Sequence, residues 1–129
     1  MGKRIVVALG GNAIETATGT AQSQEESIKK TMESLVEFVK DGSQLVITHG
    51  NGPQAGNLLL QEVAGSTKKN PPMPLDTVGA MTQGEIGYWM ELALDEVLAE
   101  NGIDKTVAAI ISQTVVSKDD PAFLKPSKP

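Results

Sequence analysis

The chain has 129 residues, 40% of them hydrophobic, enough for one domain with a sizeable core and too many for a disordered or fibrous protein. Sixteen acidic against 11 basic side chains leave a net charge of −5, which argues against a nucleic-acid partner while leaving room for a local basic site that holds an anionic metabolite. The absence of cysteine excludes disulfides and thiolate metal sites and fits a reducing, cytoplasmic setting.

No stretch approaches the ~20 apolar residues of a membrane span, so no membrane partner is expected. The apolar run after Lys3 and Arg4 stops at Leu9, too short for a signal peptide, and Val6 stands where a myristoylation signal needs Ser or Thr. Residues 5–9 (Ile-Val-Val-Ala-Leu) read as a buried strand that runs into Gly10-Gly11-Asn12. Residues 15–21 are small and polar, and Ser23 with Glu26 fits a capping box that opens a helix. Ile28, Met32, Leu35, Val36 and Val39 then recur at helical spacing as one buried face, and Gly42 ends the helix.

Residues 45–48 form a second β-branched strand, followed by His49-Gly50-Asn51-Gly52-Pro53-Gln54. Strand, helix and strand make a βαβ unit with parallel strands and a right-handed crossover, so both glycine turns belong at the carboxyl edge of one sheet. Glycines there let backbone N–H groups approach a ligand closely, and Pro53 suits the first turn of a helix whose N-terminus faces an anion. That helix, from Gln54 to about Ala64, is expected to turn Leu58, Leu59, Leu60 and Val63 inward. Residues 66–74 read as an exposed connector carrying Lys68, Lys69 and three prolines.

Asp76 can cap the longest helix, which stops at Asn101-Gly102. Gly79, Ala80, Gly84 and Gly87 crowd its first half, where each glycine costs ~1 kcal/mol relative to alanine. Two readings account for them: a symmetric crossing of two such helices in a homodimer, or close packing within one chain. Tyr88, Trp89, Met90, Leu92, Leu94, Val97 and Leu98 supply its apolar area, and residues 106–116 read as a third, largely buried strand. Residues 117–121 are a polar turn, and no helix or strand is expected after it.

Gly50-Asn51-Gly52-Pro53-Gln54-Ala55 fits the loose dinucleotide pattern, but that reading needs an acidic residue closing the next strand, where a proline loop and a long helix stand instead. Walker A spacing is absent. His49 is the sole histidine, with no carboxylates near it in sequence to complete a metal site, so a loop-shaping role fits it best. Asp119 and Asp120 suit a turn cap better than a metal, and no metal ligands are assigned. Lys128 admits two readings, a solvated loop lysine or the cation that a phosphoryl group between two glycine turns requires.

Five blocks, in order, resemble carbamate kinases: residues 7–13, residues 48–54, Pro74-Leu75-Asp76-Thr77 with residues 81–84 and 86–89, residues 120–123, and residues 125–129. The resemblance spans essentially the whole chain and only the amino-terminal two-fifths or so of such an enzyme. It implies the amino-acid kinase fold, a three-layer α/β/α sandwich around a mainly parallel sheet, here stopping before the nucleotide-binding half. It implies reversible phosphoryl transfer between carbamoyl phosphate and ADP, with Mg²⁺, giving ATP and carbamate. Gly10, Gly11 and Asn12 with Asn51, Gly52 and Pro53 would line the carbamate and phosphoryl site, Gly11 beside the reacting group. Lys128 would reach over it from a mobile protruding subdomain, and the long helix would lie in a homodimer interface.

On this reading residues 1–116 are the substrate lobe, residues 117–129 begin the protrusion, and catalysis by these residues alone is not expected. The alternatives are another acyl-phosphate-forming amino-acid kinase and a non-catalytic, dimerising half-domain that at most binds anions.

Overall fold

In the computed structural model, which describes residues 2–14 and 18–126, two strands pair in parallel. β1 (Arg4–Leu9) and β2 (Gln44–His49) run in register from Arg4 opposite Gln44 to Leu9 opposite His49. Parallel neighbours need a crossover, and α1 (Ala21–Lys40) supplies it. The two-residue period of a strand puts Val7, Leu9, Leu45 and Ile47 against the helices, with the half-buried Ile5 on the same face. It puts Val6, 63% exposed, and Val46, 43% exposed, on the opposite face.

α1 buries the expected stripe, Ile28, Met32, Leu35, Val36 and Val39, against α3 (Leu75–Glu100). Its start differs from the sequence expectation. Thr20 is the N-cap, its Oγ1 accepting the Ser23 N–H at 3.2 Å, so Ser23 lies inside the first turn. Gly19, at φ 59°, turns the chain just before this cap, which shifts the start upstream.

Both long helices end in the same way. Gly42 (φ 79°) donates to Val39 O and Ser43 to Phe38 O, at 3.0 and 3.1 Å; Gly102 (φ 66°) donates to Ala99 O and Ile103 to Leu98 O, at 3.0 and 2.9 Å. These are paired Schellman bonds that need a left-handed residue, which glycine supplies without a Cβ clash. An exposed ion pair, Lys29 Nζ to Glu96 Oε1 at 2.7 Å, bridges α1 and α3; with Glu100 also near, it holds the lysine pKa above its ordinary value.

α3 buries Val78, Thr82, Ile86, Met90, Leu94, Val97 and Leu98. Its N-cap is Pro74, two places before the expected cap Asp76, which lies in the first turn. α2 (Gly52–Gly65) packs on α3. Leu58 and Leu59 are half-buried, but Leu60 is 70% and Val63 55% exposed, contrary to the inward placement expected of them; on α3 Tyr88 and Leu92 are exposed too. Helical spacing defines a stripe without stating whether a second wall stands opposite it, and none does among the described residues.

Residues 106–116, expected as a third, largely buried strand, are neither: they pair with no strand, and all but Val107 are exposed, Ile110 at 85% and Val115 at 98%. The segment is tied to α3 through side chains. Ala109 N–H donates to Glu91 Oε1 at 2.6 Å, Ser112 N–H donates to Gln83 Oε1 at 2.8 Å, and Gln83 Nε2 returns a bond to Ser112 O at 3.4 Å. Here one of the helix glycines finds its use: a Cβ on Gly87 would lie 2.8 Å from Ala109 Cβ, whereas one on Gly84 would make only an ordinary contact, 3.9 Å from Ile111 Cδ1. Packing within the chain, one of the two readings of that glycine run, accounts for Gly87. Beyond the segment, Asp120 Oδ1 accepts Ala122 N–H at 2.8 Å and caps a short 3-10 turn, Pro121–Phe123.

Gly87→Ala should therefore destabilise the fold by ~1–3 kcal/mol despite alanine's better helix propensity, because the added methyl overpacks against Ala109. Urea unfolding of Gly87→Ala and of the Gly87→Ala/Ala109→Gly pair measures it: the second change should return much of the loss.

Candidate active site

Because β1 and β2 are parallel and Leu9 lies opposite His49, the chain leaves both strands at the same edge, into Gly10 and Gly50 respectively. The first loop continues extended through Gly10 (φ −82°, ψ 175°) and closes a 3-10 turn, Gly11–Ala13. Ala13 N–H donates to Gly10 O and Ile14 N–H to Gly11 O, each at 3.0 Å. Two anchors hold this turn: Ile14 is buried in the core, and Ala13 O accepts from Ser27 Oγ and Thr31 Oγ1 of α1, at 3.2 and 3.4 Å.

The second loop is shaped first by His49, whose Nδ1–H donates to Gly50 O at 2.9 Å, which fixes its tautomer. This is the loop-shaping role read for it from sequence. Asn51 is the N-cap of α2, and Pro53 stands in the first turn. Ala55 N–H takes Asn51 O at 2.9 Å, so the N–H groups of Gly52 and Gln54 have no intrahelical acceptor and sit at the positive end of the helix dipole.

The Asn51 side chain does not cap its helix. Its Nδ2 donates to Gly79 O at 3.1 Å and to Thr82 Oγ1 at 2.9 Å, binding the loop to the first turns of α3. Thr82 is wholly buried and its hydroxyl reaches Val78 O and Gly79 O, both at 3.1 Å. Both Nδ2 hydrogens of Asn51 are thus committed to α3; what the loop offers an anion is main-chain N–H.

Gly10, Gly50 and Gly52 have no positive φ, and a Cβ built on any of them meets no other atom within 4 Å. Neither backbone strain nor packing requires glycine there. Open space at these three positions is what a ligand pressed against the main chain needs.

A buried amide pair ties the second loop to α1: Gln54 Nε2 donates to Gln24 Oε1 at 2.7 Å, and Gln24 Nε2 to Gly19 O at 3.2 Å. Both glutamines line a cavity of about 560 Å³ between α1, α2 and α3, with Asn57, Gln61, Glu85 and Trp89. Burial there pushes the Glu85 carboxyl above the ordinary carboxylate range.

Of the residues singled out from sequence, Gly10, Gly11, Asn51, Gly52 and Pro53 share one edge, and the backbone of Asn12 lies in the first turn. Lys128 lies outside the described residues. The supporting residues Gln24, Gln54, Ser27, Thr31 and Thr82 were not found by pattern. Each is an ordinary helix polar residue whose partner is distant in sequence; only Thr82, β-branched within a glycine-rich helix, gave any hint.

The model of the amino acid kinase family matches residues 3–124. The carbamate kinase of Lentilactobacillus hilgardii is 58% identical over all 129 residues of this chain and 41% of its own length, and that of Latilactobacillus sakei is 58% identical over 98% of this chain and 40% of its own. Among solved structures, Giardia carbamate kinase superposes with a TM-score of 0.92 at 38% identity, covering 99% of this chain and 45% of that one. The form from Giardia lamblia bound to AMP-PNP gives 0.90 at 39% identity, with the same coverage. The chain thus spans about two-fifths of the length of the curated relatives it matches. With a family match running from the first strand to the last short turn, the chain belongs to the amino acid kinase family.

Proposed function

We propose that this chain forms the phosphoryl- and carbamate-binding half of a carbamate kinase, which moves a phosphoryl group reversibly between carbamoyl phosphate and ADP, giving ATP and carbamate. The observation that carries the proposal is the pair of glycine loops at one sheet edge, open above Gly10, Gly50 and Gly52, in a chain 58% identical along its whole length to carbamate kinases. The phosphoryl group lies across the loops, where main-chain N–H groups around Gly10 and Gly11 and those of Gly52 and Gln54 meet its oxygens. An oxygen of ADP attacks phosphorus, the bond to the carbamate oxygen breaks, and carbamate leaves with that electron pair. Charge spreads over the transferred oxygens as this happens, and fixed donors that need no reorganisation stabilise it.

Asn12, Asn51 and Pro53 set the shape of the two loops around the substrate. Lys128 is assigned the cation that closes over the site. Among the described residues no three His, Cys, Asp or Glu side chains gather as a metal site. Mg²⁺ is proposed to arrive with the nucleotide, held by its phosphates, and no residue here is assigned to it. We further assign residues 1–116 to the substrate lobe, residues 117–129 to the start of a protrusion, the nucleotide contacts to polypeptide beyond this stretch, and the working protein to the cytoplasm. A homodimer would form through the exposed stripe of α3, Met81, Tyr88 and Leu92, joined by Leu60 and Val63 of α2, all at least 43% exposed.

Titrating carbamoyl phosphate into the isotopically labelled chain should shift the backbone amide resonances of Gly10, Gly11, Gly52 and Gln54. Thr82→Val, which removes the hydroxyl that holds Asn51, should weaken that binding about tenfold, the worth of roughly one hydrogen bond. Equal shifts with a phosphorylated amino-acid substrate would instead assign another acyl-phosphate-forming kinase. An unresponsive spectrum would leave a half-domain without this site.

In a polypeptide extended to the relatives' length, Lys128→Ala should lower turnover by about 10²–10³-fold, as loss of one charge-stabilising donor does, and leave the thermal transition in place. Unaltered turnover would remove Lys128 from the site.

A further inference from the structure

The cavity of about 560 Å³ between α1, α2 and α3 carries a chemistry that the two glycine loops do not use. Among the described residues that line it, Glu85 is the one charged side chain, and no lysine or arginine stands there to neutralise it. Burial alone raises its carboxyl, with no cation acting against the shift. A half-buried carboxylate in this position lacks a counter-charge.

The buried amides of the same cavity have a fixed direction. Gly19 O can only accept, so Gln24 turns its Nε2 toward it, at 3.2 Å, and its Oε1 toward Gln54. Gln54 answers with Nε2, at 2.7 Å, which leaves its own Oε1 without a partner. Gln54 is only 6% exposed, yet among the described residues no fully covered side-chain nitrogen or oxygen lacks a hydrogen bond. That Oε1 is therefore not sealed in protein and opens to the cavity that Gln54 lines. The chain of amides ends in an acceptor.

The cavity thus presents a carboxylate, an outward amide carbonyl and the indole of Trp89. Asn57 and Gln61, one turn apart on α2, stand at its exposed rim, where either amide can turn a carbonyl inward. An anion would meet two acceptors and repulsion. A guanidinium has only donors, carries the missing charge, forks onto a carboxylate and stacks on an aromatic face. The volume lies within the usual range for small-molecule sites.

We propose that this cavity binds a small organic cation through a guanidinium group, paired with Glu85, donating to Gln54 Oε1 and stacked on Trp89. Such a ligand also removes a cost at the neighbouring surface. Glu85 shares a helix face with Met81, Tyr88 and Leu92, and a second copy seated on that face would otherwise cover an uncompensated charge.

The test titrates n-propylguanidinium chloride into the chain at neutral pH. Trp89, the only tryptophan, reports by its emission, and the side-chain amide resonances of Gln24, Gln54, Asn57 and Gln61 locate the contact. Both should change saturably, with a Kd below about 1 mM. The uncharged n-propylurea, of nearly the same shape, should bind about tenfold more weakly or less, and Glu85→Gln should weaken n-propylguanidinium by the same factor. Glu85→Gln keeps the size of the side chain, and far-UV circular dichroism checks that its helices persist. A flat titration, equal binding of n-propylurea, or undiminished binding by Glu85→Gln overturns the proposal. Resonance changes confined to residues outside the cavity do so as well. Tighter binding of n-propylammonium than of n-propylguanidinium would overturn the guanidinium assignment, in favour of a site for a point charge.

Discussion

The in-register parallel pairing of β1 and β2 is the constraint on which the rest depends. It puts the ends of two strands, some forty residues apart in sequence, side by side at one edge, and it obliges the chain to spend α1 on the return journey. Everything at the edge follows from that geometry. The first loop is tied back to α1 by Ser27 and Thr31, the second to α3 by Asn51 and to α1 by Gln54. The helices that cover the sheet are thus also the frame that holds its loops still. A surface so constrained has surrendered its conformational entropy during folding rather than on meeting a ligand, which is the condition for catalysis by positioning.

Much of this was legible from residues. The two β-branched runs became the two strands, all five residues of the α1 stripe are buried, and the glycines at 42 and 102 end their helices as left-handed caps. These features are local: the side chains that decide them lie within one or two turns of each other. The site's backbone was legible for the same reason, since a glycine turn after an apolar strand is a short-range pattern.

What escaped was long-range. Residues 106–116 have the composition of a buried strand but neither burial nor a strand beside them, and composition cannot supply those. Leu60 and Val63 were expected inside because periodicity reports a stripe, not what faces it. The glycine run in α3 left two readings, and only the position of Ala109 decided for Gly87. Thr20 displaced Ser23 as the cap because a single left-handed glycine, Gly19, moved the helix start by one turn.

The vacant space above Gly10, Gly50 and Gly52 separates two quantities that usually travel together. Where a glycine is needed for a turn or for packing, as at Gly42 or Gly87, replacement harms the folded state and a damaged variant is removed by quality control before its chemistry matters. At the three edge positions a methyl group meets neither strain nor neighbours, and reduced freedom of the unfolded chain offsets any small cost. Selection for foldability is therefore blind to these residues. Whatever keeps them as glycine acts through what the molecule binds, and a library sorted for solubility alone would let them drift first.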